Sequence, residues 1–154
     1  MLQRLGRYEV LETLAGGGQG TGDGEFDSAG GVAAASDGSV YVTDPFQHRI
    51  QKFTSEGVFV SKWGTEGTGD GQFTGPTGVA VASDGSVYVA DYSNNRIQKF
   101  TSEGVFVSKW GTQGAGFRLP TGVAVAPDGS VYVSDYRGNH IQKFTSEGVF
   151  VSKW

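Results

Sequence analysis

The chain has 154 residues, a net charge of −4, no cysteine and 26 glycines. The missing cysteine excludes a disulfide framework and a thiolate metal site, the acidic balance disfavours a broad phosphate-binding surface, and no apolar run approaches the roughly 18 residues that span a bilayer. Glycine far exceeds its usual share of about 7%, but it sits at turns and linkers without a three-residue period, which excludes collagen.

Residues 1–7 read as a frayed leader. They lack an apolar h-region, so no secretory signal is expected and a cytoplasmic location is the default. Tyr8 to Leu14 (YEVLETL) reads as a leading strand, followed by a glycine-rich linker that reaches residue 20. One unit then occurs three times. Gly31, Gly78 and Gly122 open equivalent stretches, spaced 47 and then 44 residues apart. Self-similarity at that period marks a propeller or a solenoid.

The middle copy predicts a four-stranded sheet. Val79 to Ala82 forms strand a and stops at Ser83-Asp84-Gly85-Ser86. An Asp-Gly pair between apolar runs signals a hairpin, because glycine tolerates the positive φ of a tight turn. Val87 to Ala90 is strand b, and Asp91 to Asn95 breaks it with a polar loop. Arg96 to Thr101 is strand c, Ser102-Glu103-Gly104 turns the chain, and Val105 to Trp110 is strand d. Apolar residues fall on both faces of the unit, so each sheet is expected to pack a neighbour on either side.

The linkers repeat as well. Gly20 to Phe26 returns almost unchanged as Gly67 to Phe73, and shrinks to Gly114-Ala115-Gly116-Phe117 before the third copy, which accounts for the shorter spacing. Each linker places Phe26, Phe73 or Phe117 three residues before Ala29, Pro76 or Pro120. The phenylalanine is expected to plug the gap between sheets, and the proline to set the turn into strand a.

The run of Phe, Pro-Thr-Gly-Val-Ala-Val, Asp-Gly, Val-Tyr-Val-x-Asp and Asn-Arg-Ile-Gln-Lys-Phe resembles the NHL repeat. Gly78 to Trp110 matches it closely, and the resemblance extends over about residues 8 to 154. It implies an all-β propeller of four-stranded blades, most often six. The expected organisation is a leader at 1–7, a leading strand and linker at 8–20, and blades at 21–64, 65–111 and 112–154. Three blades fall short of a closed ring, so two copies are expected to close a six-bladed one as a homodimer. Val149 to Trp154 is expected to keep the outer position of the third blade against the competing Tyr8 to Leu14 strand. Two positions depart from the pattern: Gln47-His48-Arg49 and Gly138-Asn139-His140 stand where the middle copy has Asn94-Asn95-Arg96, so the third copy lacks the arginine.

Strands alternate in direction, so the d-to-a linkers and b-to-c loops share one face. From Ile50, Ile97 and Ile141 through Trp63, Trp110 and Trp154 the copies are identical; they differ mainly in the b-to-c loops DPFQHR, DYSNNR and DYRGNH. That face is the expected site for a protein or peptide ligand, through Phe46, His48, Arg49, Tyr92, Asn94, Arg96, Tyr136, Arg137 and His140. The plainer reading is that exposed loops drift. The near-identity of the copies is also what recent amplification or engineering of one blade produces, with no ligand yet evolved.

No enzyme chemistry is expected, and no cofactor. Asp44, Asp91 and Asp135 end each strand b; they read either as a ring of carboxylates around a cation or as caps that bond backbone N–H groups and pair with Arg49 and Arg96. His48 and His140 are the only histidines, too few for the three protein ligands of a catalytic zinc site unless carboxylates or a second copy contribute. Some NHL-like lyases hold a channel metal, which keeps a metal-dependent lyase or hydrolase as a distant alternative. Gly67 to Gly71 lacks the lysine and helix of a P-loop. Some NHL propellers read single-stranded RNA on the loop face, with aromatics stacking on bases and arginines meeting phosphates. Against this reading, the face carries Asp23, Glu25, Asp27, Asp44, Glu66, Asp70, Asp91 and Asp135 against Arg49, Arg96, Arg118 and Arg137.

Overall fold

The computed structural model describes residues 20–111 and 116–154. The expected leader, the Tyr8 to Leu14 strand and part of the third linker lie outside them. Blade one holds β1 (Val32–Ala34), β2 (Val40–Asp44), β3 (Arg49–Phe53) and β4 (Phe59–Trp63). Blade two holds β5 (Pro76–Val81), β6 (Val87–Asp91), β7 (Arg96–Phe100) and β8 (Phe106–Trp110). Blade three holds β9 (Pro120–Val125), β10 (Val131–Asp135), β11 (His140–Phe144) and β12 (Phe150–Lys153). Each blade is a four-stranded antiparallel sheet whose spatial order follows the chain. Strand β12 pairs with β11, so the local strand holds the outer position of blade three.

The innermost strands of blades two and three begin earlier than expected, at Pro76 and Pro120. Proline is tolerated there because the first residue of an edge strand need not donate to the ladder. The Asp-Gly hairpins form as read. Gly85 has φ 89° and donates its N–H to the Ala82 carbonyl at 3.0 Å, while Asp84 Oδ1 accepts from Ser86 N at 2.8 Å.

The two-residue period of the strands distributes one blade between two cores. In β6, Val87 and Val89 face blade one, whereas Tyr88 and Ala90 face blade three. Between β7 and β8 a bulge shifts the register, with Ile97 opposite Trp110 but Phe100 opposite Phe106. The outer strand therefore sends Phe106 to the core with blade one and Trp110 to the core with blade three. Phe73 and Phe117 plug the two gaps as expected: Phe73 is fully buried, 5.6 Å from Phe100, and Phe117 lies 5.4 Å from Phe144. Burial of one such ring contributes about 1.5 to 3 kcal/mol.

The blades converge at their inner strands. Gly31 N donates to the Thr77 carbonyl at 3.0 Å, and a Cβ on Gly78 would run into the Thr121 carbonyl. Glycine is required there by close backbone approach, not by its φ.

Candidate functional site

The b-to-c loops connect β2 to β3, β6 to β7 and β10 to β11. Each ends on a residue with positive φ: His48 at 53°, Asn95 at 52° and Asn139 at 54°. Asparagine and histidine are among the residues that adopt this conformation most readily. The first side chain of each loop, Asp44, Asp91 or Asp135, is buried. Asp91 accepts from Thr74 N at 2.8 Å, Asn94 Nδ2 at 3.0 Å, Arg96 Nε at 2.7 Å and Gln98 Nε2 at 3.2 Å. Asp44 accepts from Ser28 N and from Arg49 at 3.3 Å. Asp135 accepts from Arg118 N at 2.9 Å. These carboxylates cap the linkers. Among the described residues, no three His, Asp or Glu side chains converge where a cation could be held.

Arg49 and Arg96, expected among the ligand-facing groups, are instead 6% and 7% exposed. Arg96 Nη1 donates to Thr68 O at 2.9 Å, and Nη2 donates to Gly69 O and Gln72 O at 2.9 Å. Arg49 makes the same set of bonds to Thr21, Gly22 and Glu25. The linker wraps a guanidinium, whose fork of donors matches several carbonyls at once. Gln98 completes the bracket, donating to Gln72 O at 2.6 Å and accepting from Gly71 N at 2.9 Å; Gln51 does so in blade one. Sequence reasoning passed over both glutamines. Their signal was a polar side chain at a position of strand c that faces a core.

In blade three His140 replaces the arginine. Its Nδ1–H donates to Gly138 O at 2.6 Å, and its Nε2 accepts from Gln142 Nε2 at 2.9 Å. His48 is structural too, since its Nδ1 accepts from Gly75 N at 3.1 Å in the next blade's linker. Asn94 donates to Gly67 O at 2.8 Å, and Tyr92 is half-buried. Three of the expected nine face solvent freely: Phe46 at 69% exposed, Tyr136 at 66%, and Arg137. Arg137 N donates to Arg118 O at 3.0 Å, which sets two exposed arginines beside Tyr136.

The acid excess of this face is smaller in three dimensions than in sequence. Asp44 and Asp91 are paired with the buried arginines, and Asp23 and Asp70 bind Lys62 and Lys109 at 2.6 Å. A groove of about 1030 Å³ also opens between blades two and three, lined by Trp110, Phe117, Phe144, Phe150, Lys109 and Gln142. It follows from the join of two outer strands, which no single repeat displays.

The NHL repeat family model matches residues 73–100 and 117–144. Those two stretches are NHL repeats. Each matched stretch runs from the linker phenylalanine that plugs the gap between blades to the last phenylalanine of strand c, and so includes the carboxylate that caps the linker. No curated protein matches this chain. Among solved structures it is similar to a catalytically inactive virginiamycin B lyase from Staphylococcus aureus with quinupristin, at 20% identity and a TM-score of 0.67, covering 82% of this chain and 40% of the lyase. It is also similar to U3-55K, at 14% identity and a TM-score of 0.70, covering 88% of this chain and 40% of that one. The WD40 repeats of RRP9 give 13% identity, a TM-score of 0.69 and coverage of 88% and 39%. The chain thus spans about two fifths of the length of these structures, and the likeness establishes a propeller-type fold.

Proposed function

We propose that this chain is a non-catalytic scaffold whose b-to-c loop face binds a protein or peptide segment. The observation that carries the reading is the pair of solvent-facing rings, Phe46 and Tyr136, with the exposed Arg137 beside Tyr136 in the chain, on a face where the other six candidate groups are buried or half-buried. Exposed aromatics on rigid loops bury large area at little entropic cost, and Tyr and Arg are favoured interface anchors. The three strand-b carboxylates are engaged with backbone and side-chain donors, which supports a structural role for them over a catalytic one.

We further infer that a second copy supplies the three blades missing from a six-bladed ring, since closed propellers hold four to eight blades. Light scattering then reads a mass of about 32 kDa, twice the chain mass, as expected for a two-fold assembly. A stable monomer across micromolar dilution overturns this part.

The loop-face reading is tested by selecting a random peptide library on the immobilised chain and re-testing the winners on a Phe46→Ala/Tyr136→Ala double variant. Peptides that lose binding on the variant support it. Peptides that bind both proteins equally overturn it. RNA is the second reading, favoured by Arg118 and Arg137 beside Tyr136. Fluorescence anisotropy with short single-stranded RNA distinguishes it, because affinity through phosphate contacts falls as salt rises.

A further inference from the structure

The two joints between blades are built to one plan. At the first, Tyr41 Oη donates to Ser102 O at 3.0 Å and Lys52 Nζ donates to the same carbonyl at 3.1 Å. At the second, Tyr88 Oη donates to Ser146 O at 3.0 Å and Lys99 Nζ to it at 3.2 Å. In each case the lysine also lies over the tyrosine ring, at 5.4 and 5.3 Å. The tryptophan that ends the outer strand packs across the joint. Trp63 lies 5.6 Å from Phe100 and against Gly104; Trp110 lies 5.8 Å from Phe144 and against Gly148. On the loop side, His48 accepts from Gly75 N and Asn95 Oδ1 accepts from Leu119 N at 2.9 Å.

Blade three carries the same set with nothing opposite it among the described residues. Lys143 lies 5.6 Å over the Tyr132 ring, and Trp154 packs 6.0 Å from it. The internal arrangement is thus already formed. Yet Tyr132 Oη, Lys143 Nζ and the Asn139 side chain have no hydrogen-bond partner among the described residues, and Trp154 is 64% exposed where Trp63 and Trp110 are half-buried. The carbonyl these donors reach in the other joints belongs to the Thr-Ser-Glu-Gly turn of the following blade. One such turn lacks its donors: Thr54 to Gly57 of blade one is identical to the other two, and among the described residues nothing donates to Ser55 O.

Charge follows the same pattern. The Glu103 carboxyl is held below its ordinary value first by the Ser102 hydroxyl and further by the charge of Lys52; Glu147 is held likewise by Ser146 and then Lys99. Glu56 is held down by Ser55 and backbone groups, and no lysine contributes. Blade three has the unmatched lysine, and blade one the unmatched glutamate.

We infer that blade three of one copy docks on blade one of a second copy, with Tyr132 and Lys143 donating to Ser55 O and Trp154 packed against the Thr54 to Gly57 turn. The inference rests on the two-copy reading above and adds its orientation. The contact is head-to-tail and is made twice, so the ring closes and no open surface of this kind is left. The alternative occupant of the blade-three face is blade three of the second copy, with the Trp154 rings meeting.

Equal amounts of unlabelled and 15N-labelled full-length chain are mixed, treated with a zero-length carboxyl-to-amine cross-linker, cleaved before aspartate so that each peptide keeps its distinguishing b-to-c loop, and read by mass spectrometry. Cross-links of Lys52 to Glu103 and Lys99 to Glu147 occur within one chain and serve as internal standards. The expected result is a Lys143 to Glu56 cross-link joining one labelled and one unlabelled peptide. In parallel, Trp154→Ala is expected to weaken association at least about tenfold, with near-ultraviolet circular dichroism still showing the internal Trp63 and Trp110 joints. A dimer by light scattering without mixed-label Lys143 to Glu56 links, or one that Trp154→Ala leaves unweakened, overturns the orientation and leaves the two-copy reading standing. A monomer at micromolar concentration overturns both.

Discussion

Arg96 Nε lies 2.7 Å from Asp91 Oδ2 with both side chains buried, and the rest of the guanidinium is filled by three carbonyls of the linker before the blade. The pair joins strand b, strand c and a segment 24 to 28 residues earlier in the chain. Removing the arginine strands a buried carboxylate and three carbonyls. Arg96→Ala is therefore expected to cost about 3 to 5 kcal/mol, measured by urea unfolding. A loss under about 0.5 kcal/mol, typical of an exposed side chain, means that the bracket does not hold the linker.

Phe46 and Tyr136 behave oppositely. Both are exposed, so Phe46→Ala and Tyr136→Ala should each change stability by less than about 0.5 kcal/mol. Thermal melts of the two single variants check this. A large shift in either would make that ring part of the fold and remove it from the binding face.

The hydroxyls of Tyr88 and Tyr132 separate a formed joint from an open one. Tyr88 Oη is bonded to Ser146 O, so Tyr88→Phe should destabilise by about 1 kcal/mol at any protein concentration. Tyr132→Phe should leave the stability of dilute chains unchanged and lower it only where the chains associate. Denaturant melts at two protein concentrations provide the comparison.

Gly78 tests the convergence of the inner strands. With no room for a Cβ beside the Thr121 carbonyl, Gly78→Ala should cost about 1 to 3 kcal/mol, the range for overpacking. A neutral outcome in chemical unfolding would show that the inner strands separate freely.

The acid response follows from the hairpin turns. Asp37, Asp84 and Asp128 all titrate below the ordinary value of 3.8, first because backbone N–H groups of Ser39, Ser86 and Ser130 bond their carboxylates. The folded pKa is the lower one, so the stability these groups add is full above the unfolded pKa. It is lost as pH falls through the folded values. Melting temperature should decline below about pH 4. A triple Asp→Asn variant keeps an acceptor in each turn but removes the titration, and should show a shallower decline. An unchanged slope would mean that these three turns do not set the acid response.

Repeat number, strand order and hairpins were legible in the sequence because each depends on residues close together along the chain. The Asp-Gly turns, the alternation of Val87, Tyr88, Val89 and Ala90, and the Ser102-Glu103-Gly104 turn specify a blade locally. The plugging role of Phe73 and Phe117 was also legible, since a lone ring in a glycine-rich linker has few other places to pack. The assignment of site residues was not. Arg49 and Arg96 open strand c at the end of a loop that reads as exposed, and only packing of the distant linker around them makes them interior. Gln51 and Gln98 went unread for the same reason: their partners lie 26 residues away. The sequence by itself determined the blade, because strand pairing within it is between neighbours. Tertiary structure alone decided which polar side chains belong to the fold and which remain for a partner, because burial depends on segments that meet only when one blade closes against the next.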